Sequence, residues 1–438
     1  MGQTTMPFDH TRPLNRGDYR TLALAALGGT LEFYDFVIYV FFAAIMGHVF
    51  FPPHSPEWLV QLQTYGIFAA GYLARPLGGI VMAHFGDLHG RKRMFTLSIL
   101  LMALPTFIMG LLPTYADIGI WAPVLLLALR VLQGAAIGGE IPGAWVFVSE
   151  HVPARRVGFA CGTLTAGLTL GILLGSLVAS AMHARFSEAE LVARAWRIPF
   201  LLGGVFGLLA VYLRGYLQET PIFKELAEQR ALLAEWPMKR VLASHRGAML
   251  LSMLATWLLT GGIVVVILMT PSLLGKLPGI GAEKALLANS LAVVCLSIGC
   301  VLAGSLTDRF GNGPTLFAGS GFLLVACYGF YSQIAAHPDW LFPGYALLGL
   351  TVGVIAAVPC IMVRAFPATV RFSGLSLSYN LAYAIFGGLT PMAVALMLKS
   401  DPQAPAHYVE VLALMGMVLG LALCARRRQA EPDGLKAT

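Results

Sequence analysis

The chain has 438 residues, 57% of them hydrophobic and only 12% charged, with a formal net charge of +7. A soluble chain is about 25% charged, so this composition excludes an ordinary soluble domain and points to a protein that crosses a membrane repeatedly. The length suits about a dozen spans of roughly 20 residues each.

Apolar runs of helical length fall at 21–48, 61–83, 94–113, 121–148, 158–182, 197–214, 248–274, 284–306, 314–333, 342–363, 373–398 and 407–425. The predicted fold is all-α: twelve transmembrane helices in two six-helix bundles. The first bundle is 1–214 and the second, with its tail, is 248–438. The polar stretch 215–247 joins them as a linker with an amphipathic helix that Pro221 can start. The first apolar run is too long for the core of a signal peptide and is expected to stay as an anchor.

The first run contains GGTLEFYDFVIY, with Glu32 and Asp35 near mid-membrane. An intramembrane carboxylate costs about 2.5–3.5 kcal/mol on insertion scales. Glu32, Asp35 and Tyr39 fall within about 60° of one another on a helix, a polar stripe that must face protein or a water-filled cavity. Two such acids suit proton coupling; as permanent partners of buried arginines they would only glue helices. The second run carries Arg75, and after it comes GDLHGRKR with Asp87 and Arg91.

The fourth run carries Arg130, Gln133 and Glu140. Gln133 and Glu140 share one helix face, and a guanidinium on the cavity side can hold a carboxylate by two parallel bonds. Either arginine could instead latch to an acid on a neighbouring helix. The fifth run is spaced with Gly158, Gly162, Gly167, Gly171 and Gly175, which permit close helix packing.

The second bundle is poor in buried charge. Its substrate candidates are Tyr379, Asn380 and Tyr383 of the eleventh run, with Thr256 and Thr260 as further polar residues. TDRFGNG follows the eighth run, so Asp308 and Arg309 stand about half a chain from Asp87, and Arg371 opens the eleventh run. The six cysteines lie in apolar runs with no C-x-x-C pair, so neither a disulfide framework nor a metal site is expected.

An alternating topology puts 21 of the 29 Lys and Arg residues on the side of the termini, six on the other side, and Arg75 and Arg130 within spans. The positive-inside rule then makes both termini cytoplasmic. The basic balance reads as membrane orientation, and no nucleic-acid motif is present. Trp58, Trp121, Trp196 and Trp340 fall at predicted outer ends, as an aromatic belt would.

The repeated loop, with Ala83, Asp87, Leu88, Gly90, Arg91, Lys92 and Arg93 in one copy and Gly304, Asp308, Arg309 and Gly311 in the other, resembles the loop motif of the major facilitator superfamily. LEFYDF, ARPLGG, HFGDLHGRKR, IGIWAP, RVLQGAAIGGE, WRIPFLLGG and SGLSLSYNLAYAIFGGLTP resemble its metabolite:proton symporter family over almost the whole chain. The resemblance implies proton-driven uptake across a bacterial inner membrane by alternating access, without a cofactor, and with protons, a small molecule and the lipid bilayer as partners of a functional monomer. Members carry citrate, 2-oxoglutarate, shikimate and other carboxylates, or zwitterions such as proline and betaine. It also implies that Asp87 closes a cytoplasmic gate against the start of the eleventh helix, with Arg91, Asp308, Arg309 and Arg371 beside the gate.

Three readings compete: a proton symporter importing a small carboxylate or zwitterion, an exporter on the same scaffold, and a transport-dead receptor. Two deep arginines lean toward an anionic group and import. Ile172 after Gly171 departs from the glycine–proline step of drug antiporters. No nucleophile–base or metal-ligand spacing suggests an enzyme.

Overall fold

The computed structural model describes residues 13–89, 91–216, 237–275 and 277–430, and among them there is no strand. Helical rods follow the twelve predicted runs. The first is Arg16–Phe41 continued by Ala43–Phe50. Then come Glu57–His89, Arg91–Leu111, Trp121–His151, Val157–Arg185 and Arg197–Gly215. The seventh runs through Arg246–Gly261, Gly262–Met269 and Thr270–Leu274. Ala282–Phe310 and Asn312–Gln333 follow. The tenth is Leu341–Val352 with its continuation to Ala365, the eleventh Arg371–Ala382 with its continuation to Met397, and the last Ala404–Ala430. An even number of described rods leaves Arg16 and Ala430 on one side, called here the termini side. The linker helix expected across 217–236 lies outside the described residues; Pro237–Ser244, at the end of that linker, is a helix.

Local chemistry sets the helix ends. Asn15 caps the first helix by accepting from the Asp18 N–H, while Asp18 accepts from the Asn15 N–H. Between the third and fourth rods, Asp117 accepts from both the N–H and the hydroxyl of Thr114, and these bonds hold its carboxyl below the usual range.

The seventh and eleventh rods each contain a π-helical stretch, Gly262–Met269 and Tyr383–Gly387. Such a stretch widens the turn and often marks a functional position. Trp257 and Phe386 stack across these two rods at 4.2 Å.

Large apolar side chains such as Leu77, Phe322 and Val418 cover the outside, which suits lipid as the solvent. Trp58, Trp121 and Trp340 are exposed at the far ends of their rods, in keeping with the aromatic belt. Trp196 departs from that expectation. It is fully buried, edge-on to Phe50 at 5.3 Å, with the Arg197 guanidinium over its ring. The cause is a 51° bend between Glu188–Ala195 and Arg197–Leu213, which tucks the indole inside. The six cysteines are free, and four are buried packing residues.

Candidate functional site

The site is assembled by glycines. A Cβ at Gly134 would lie 1.9 Å from the Gly71 carbonyl oxygen, and one at Gly78 would lie 1.8 Å from that of Ala135. The second and fourth rods therefore touch backbone to backbone, as small residues allow in a bilayer. This contact brings Arg75 and Arg130, from different rods, to one place at mid-span.

Both arginines are buried, at 1% and 0% exposure. Arg75 is surrounded by rings. Its guanidinium carbon is 4.3 Å from the centre of Tyr383, 5.0 Å from Tyr72, 5.2 Å from Phe36 and 5.9 Å from Tyr379. Tyr72 of the first bundle and Tyr383 of the second are stacked at 5.7 Å. A guanidinium on desolvated aromatic faces is stabilised by about 2 kcal/mol or more in favourable cases. Arg130 makes a similar set 4.4 Å from Tyr39, 5.0 Å from Phe36 and 5.6 Å from Phe68. Phe36 is thus shared by both cations.

Neither arginine meets a carboxylate within ion-pair distance among the described residues. Nε and Nη1 of Arg75, and Nε and Nη2 of Arg130, are buried donors without a hydrogen-bond partner. Unmade bonds of this kind are costly, and these open donors are free to bond an anionic group.

Gln133 fixes Arg130. Its Oε1 accepts from Arg130 Nη1, and its Nε2 donates to Thr106 Oγ1 at 2.8 Å and to the Asp35 carbonyl at 3.2 Å. Every polar bond of the amide points to a named partner, so the guanidinium is held on one edge and left open on the other.

The polar stripe of the first rod divides. Tyr39 faces Arg130 and its hydroxyl donates to the Thr64 carbonyl at 3.2 Å. Asp35 turns toward the third and sixth rods. Its oxygens face Gly203 and Gly207, where missing side chains leave room, and both are buried without a hydrogen-bond partner. Glu32 is buried, and Glu140 is buried and accepts from the Ser98 hydroxyl at 3.0 Å.

The eleventh rod closes the site toward the termini side. Asn380 donates to the Gly138 carbonyl, and the Ser376 hydroxyl donates to the Gly79 carbonyl at 3.2 Å. Tyr379 stands edge-on to Trp145 at 5.1 Å. Thr256 bonds within its own helix to Ser252, while the buried Thr260 hydroxyl has no partner.

Closer to the termini, Asp308 accepts from the N–H groups of Gly158 (2.7 Å) and Phe159 (2.8 Å) and faces Arg364 at 3.8 Å. Arg371 pairs with Glu150 at 3.5 Å. Arg309, grouped with the gate from sequence, is exposed over Phe310 instead; Arg364 takes the place beside Asp308 because it projects from the facing tenth rod. The side chains of Asp87 and Arg91 lie outside the described residues. Phe36, Tyr72, Glu150 and Arg364 were not singled out from sequence. Tyr72 stands three residues before Arg75 on the same helix face, a signal that spacing could have supplied. Among the described residues, no three His, Cys, Asp or Glu side chains cluster as metal ligands do.

Among the described residues, helical rods packed around buried guanidinium and carboxylate groups, nine of them long and apolar enough to cross a bilayer, make a multi-pass membrane protein. The sequence profile described as Major Facilitator Superfamily matches residues 25–391. The chain belongs to the major facilitator superfamily. It is 32% identical to a proline/betaine transporter of Salmonella typhimurium, over 92% of this chain and 83% of that protein. It is likewise 32% identical, over 92% of this chain and 82% of the relative, to a glycine betaine/proline/ectoine/pipecolic acid transporter of Dickeya dadantii. In fold it is similar to the proton:xylose symporter XylE bound to 6-bromo-6-deoxy-D-glucose, with a TM-score of 0.74 at 18% identity over 93% of this chain and 95% of that one.

Proposed function

We propose that this transporter takes up a small zwitterion of the proline or betaine kind together with protons, across a bacterial inner membrane, by alternating access. The observation that carries the reading is the pair of buried arginines, whose open donors await a carboxylate within a wall of aromatic rings suited to an onium group. The relatives in Salmonella typhimurium and Dickeya dadantii, named as transporters of proline and glycine betaine, support the same substrate class.

Asp35 is the proton carrier in this reading. It is buried at 2% exposure, its oxygens lack partners, and it is one backbone carbonyl away from the Gln133–Arg130 pair. Glu32 and Glu140 are further coupling candidates. Arg130 and Arg75 contact substrate, Gln133 orients Arg130, and Tyr39, Tyr379, Asn380 and Tyr383 line the path. The charge distribution along the chain supports cytoplasmic termini. The termini side, joined by Asp308 and Arg371, is then a closed cytoplasmic gate. The two bundles, 1–214 and 248–438, rock about the site within a single functional monomer.

The test is uptake into proteoliposomes under an imposed inward proton gradient. Glycine betaine or proline should accumulate above its external concentration, and a protonophore should abolish the accumulation. Uptake of simple carboxylates without either zwitterion would overturn the substrate class; accumulation insensitive to the protonophore would overturn the coupling.

A further inference from the structure

We infer that Arg75 is a tethered occupant of the onium cage, and that it makes the carboxylate of the substrate obligatory. The inference rests on the zwitterion reading above and adds what selects for a zwitterion over a plain cation.

The four rings around Arg75 come from three rods. Phe36 is on the first, Tyr72 on the second, and Tyr379 and Tyr383 on the eleventh. Their centres lie 4.3–5.9 Å from one guanidinium carbon, which is the range in which a ring face attracts a cation. An aromatic box of this kind suits an ammonium group carrying methyl or ring carbons, because such a cation is weakly hydrated and has few or no N–H bonds to lose. Here the box is filled by a side chain of the protein itself.

Displacing that side chain leaves a buried guanidinium without its rings, and Arg75 has no ion pair among the described residues to fall back on. A cation without an anionic group can offer Arg75 nothing in exchange. It would also add a third positive charge beside Arg75 and Arg130. A zwitterion brings both halves of the exchange. Its ammonium enters the box, and its carboxylate bridges the open edges of the displaced Arg75 and of Arg130, which Gln133 already holds in place.

Arg75 therefore acts as a specificity-determining residue. It penalises cations that lack a carboxylate, and the rings favour carboxylates that bring a cation over those that do not. Because Tyr379 and Tyr383 belong to the second bundle, the same exchange replaces an inter-bundle contact of the protein with one made through the substrate.

The test is ligand binding to the purified full chain by titration calorimetry with three probes of similar shape. Glycine betaine has both groups, choline has the quaternary ammonium without the carboxylate, and 3,3-dimethylbutyrate has the carboxylate with a neutral tert-butyl group. Wild type should bind glycine betaine at least about tenfold more tightly than either of the others. Arg75→Gln, which empties the box and removes the penalty, should raise choline affinity at least about tenfold. Tyr383→Leu, which opens the wall of the box, should bring glycine betaine down to the level of 3,3-dimethylbutyrate. If wild type prefers glycine betaine but Arg75→Gln gains nothing for choline, the tethered-occupant idea is overturned and the zwitterion reading stands. Should Arg75→Gln fail to fold, a Tyr383→Leu variant that keeps the full preference for glycine betaine overturns it as well. If wild type binds 3,3-dimethylbutyrate as tightly as glycine betaine, the zwitterion reading itself fails.

Discussion

Asp308, near the end of the eighth rod, accepts a 2.7 Å hydrogen bond from the backbone N–H of Gly158, in the first turn of the fifth. The same carboxylate takes the Phe159 N–H, so an acid from one bundle caps a helix of the other at its positive end. Gly158 and Gly304 permit the approach, since a Cβ on either would lie within 2.3 Å of the other's carbonyl oxygen.

In the proposed transport cycle this contact holds the termini-side gate shut. A carboxylate at a partly buried helix start is worth up to about 2 kcal/mol, and Asp308→Asn keeps only part of it. The variant should shift the equilibrium toward the state open on the termini side by a factor of about 3 to 30. Double electron–electron distances between spin labels on the termini-side ends of the fifth and eighth rods read the shift directly. An unchanged distance distribution would show that Asp308 does not carry the latch.

Asp35→Asn removes the titrating group and retains its size. It should abolish accumulation against a gradient while substrate exchange between equal concentrations continues at a rate within about threefold of wild type, because the arginine site is untouched. The pair of assays distinguishes coupling from binding. Concentrative uptake by the Asn variant would move the role to Glu32 or Glu140.

Arg130→Lys replaces a planar fork with a point charge. Gln133 would lose its geometric partner, and a bound carboxylate would lose one of two charge-assisted bonds, each worth about 1.5–3 kcal/mol. The apparent KM should rise by about 10- to 100-fold. Uptake kinetics of the zwitterion across a concentration series measure it, and wild-type KM in the variant would exclude contact between Arg130 and substrate.

Gly78→Ala inserts a methyl group against the Ala135 carbonyl, where the backbones of the second and fourth rods touch. Overpacking of this sort costs about 1–3 kcal/mol, and it also pushes Arg75 away from Arg130. Thermal unfolding of the purified protein should show a lower midpoint, with substrate binding weakened. Gly66→Ala, where no atom lies within 4 Å of the added Cβ, is the matched control and should leave both unchanged.

Periodicity and composition were sufficient for the presence and order of the rods, because a lipid solvent forces every span to be long, apolar and helical, but the rod ends lie up to six residues beyond the predicted ones. They were also sufficient to mark Glu32, Asp35, Arg75 and Arg130 as residues with a purpose, since intramembrane charge is too costly to keep otherwise. The repeated loop aspartate was equally legible, and Asp308 stands at an inter-bundle contact. The sequence by itself thus determined which residues are expensive and how deep they lie. Only the tertiary structure decided what each one meets. The stripe of Asp35 and Tyr39 divides between two sides of the first rod, because Gly203 and Gly207 open room for one and Arg130 draws the other. Arg364, rather than Arg309, reaches Asp308, since helix crossing angles and not chain neighbours set that distance. Tyr72, Phe36, Tyr379 and Tyr383 surround Arg75 only because glycine contacts bring the second rod against the fourth and small-residue contacts bring the eleventh against both. Such contacts join residues from 57 to 297 positions apart, and a one-dimensional pattern carries no record of them.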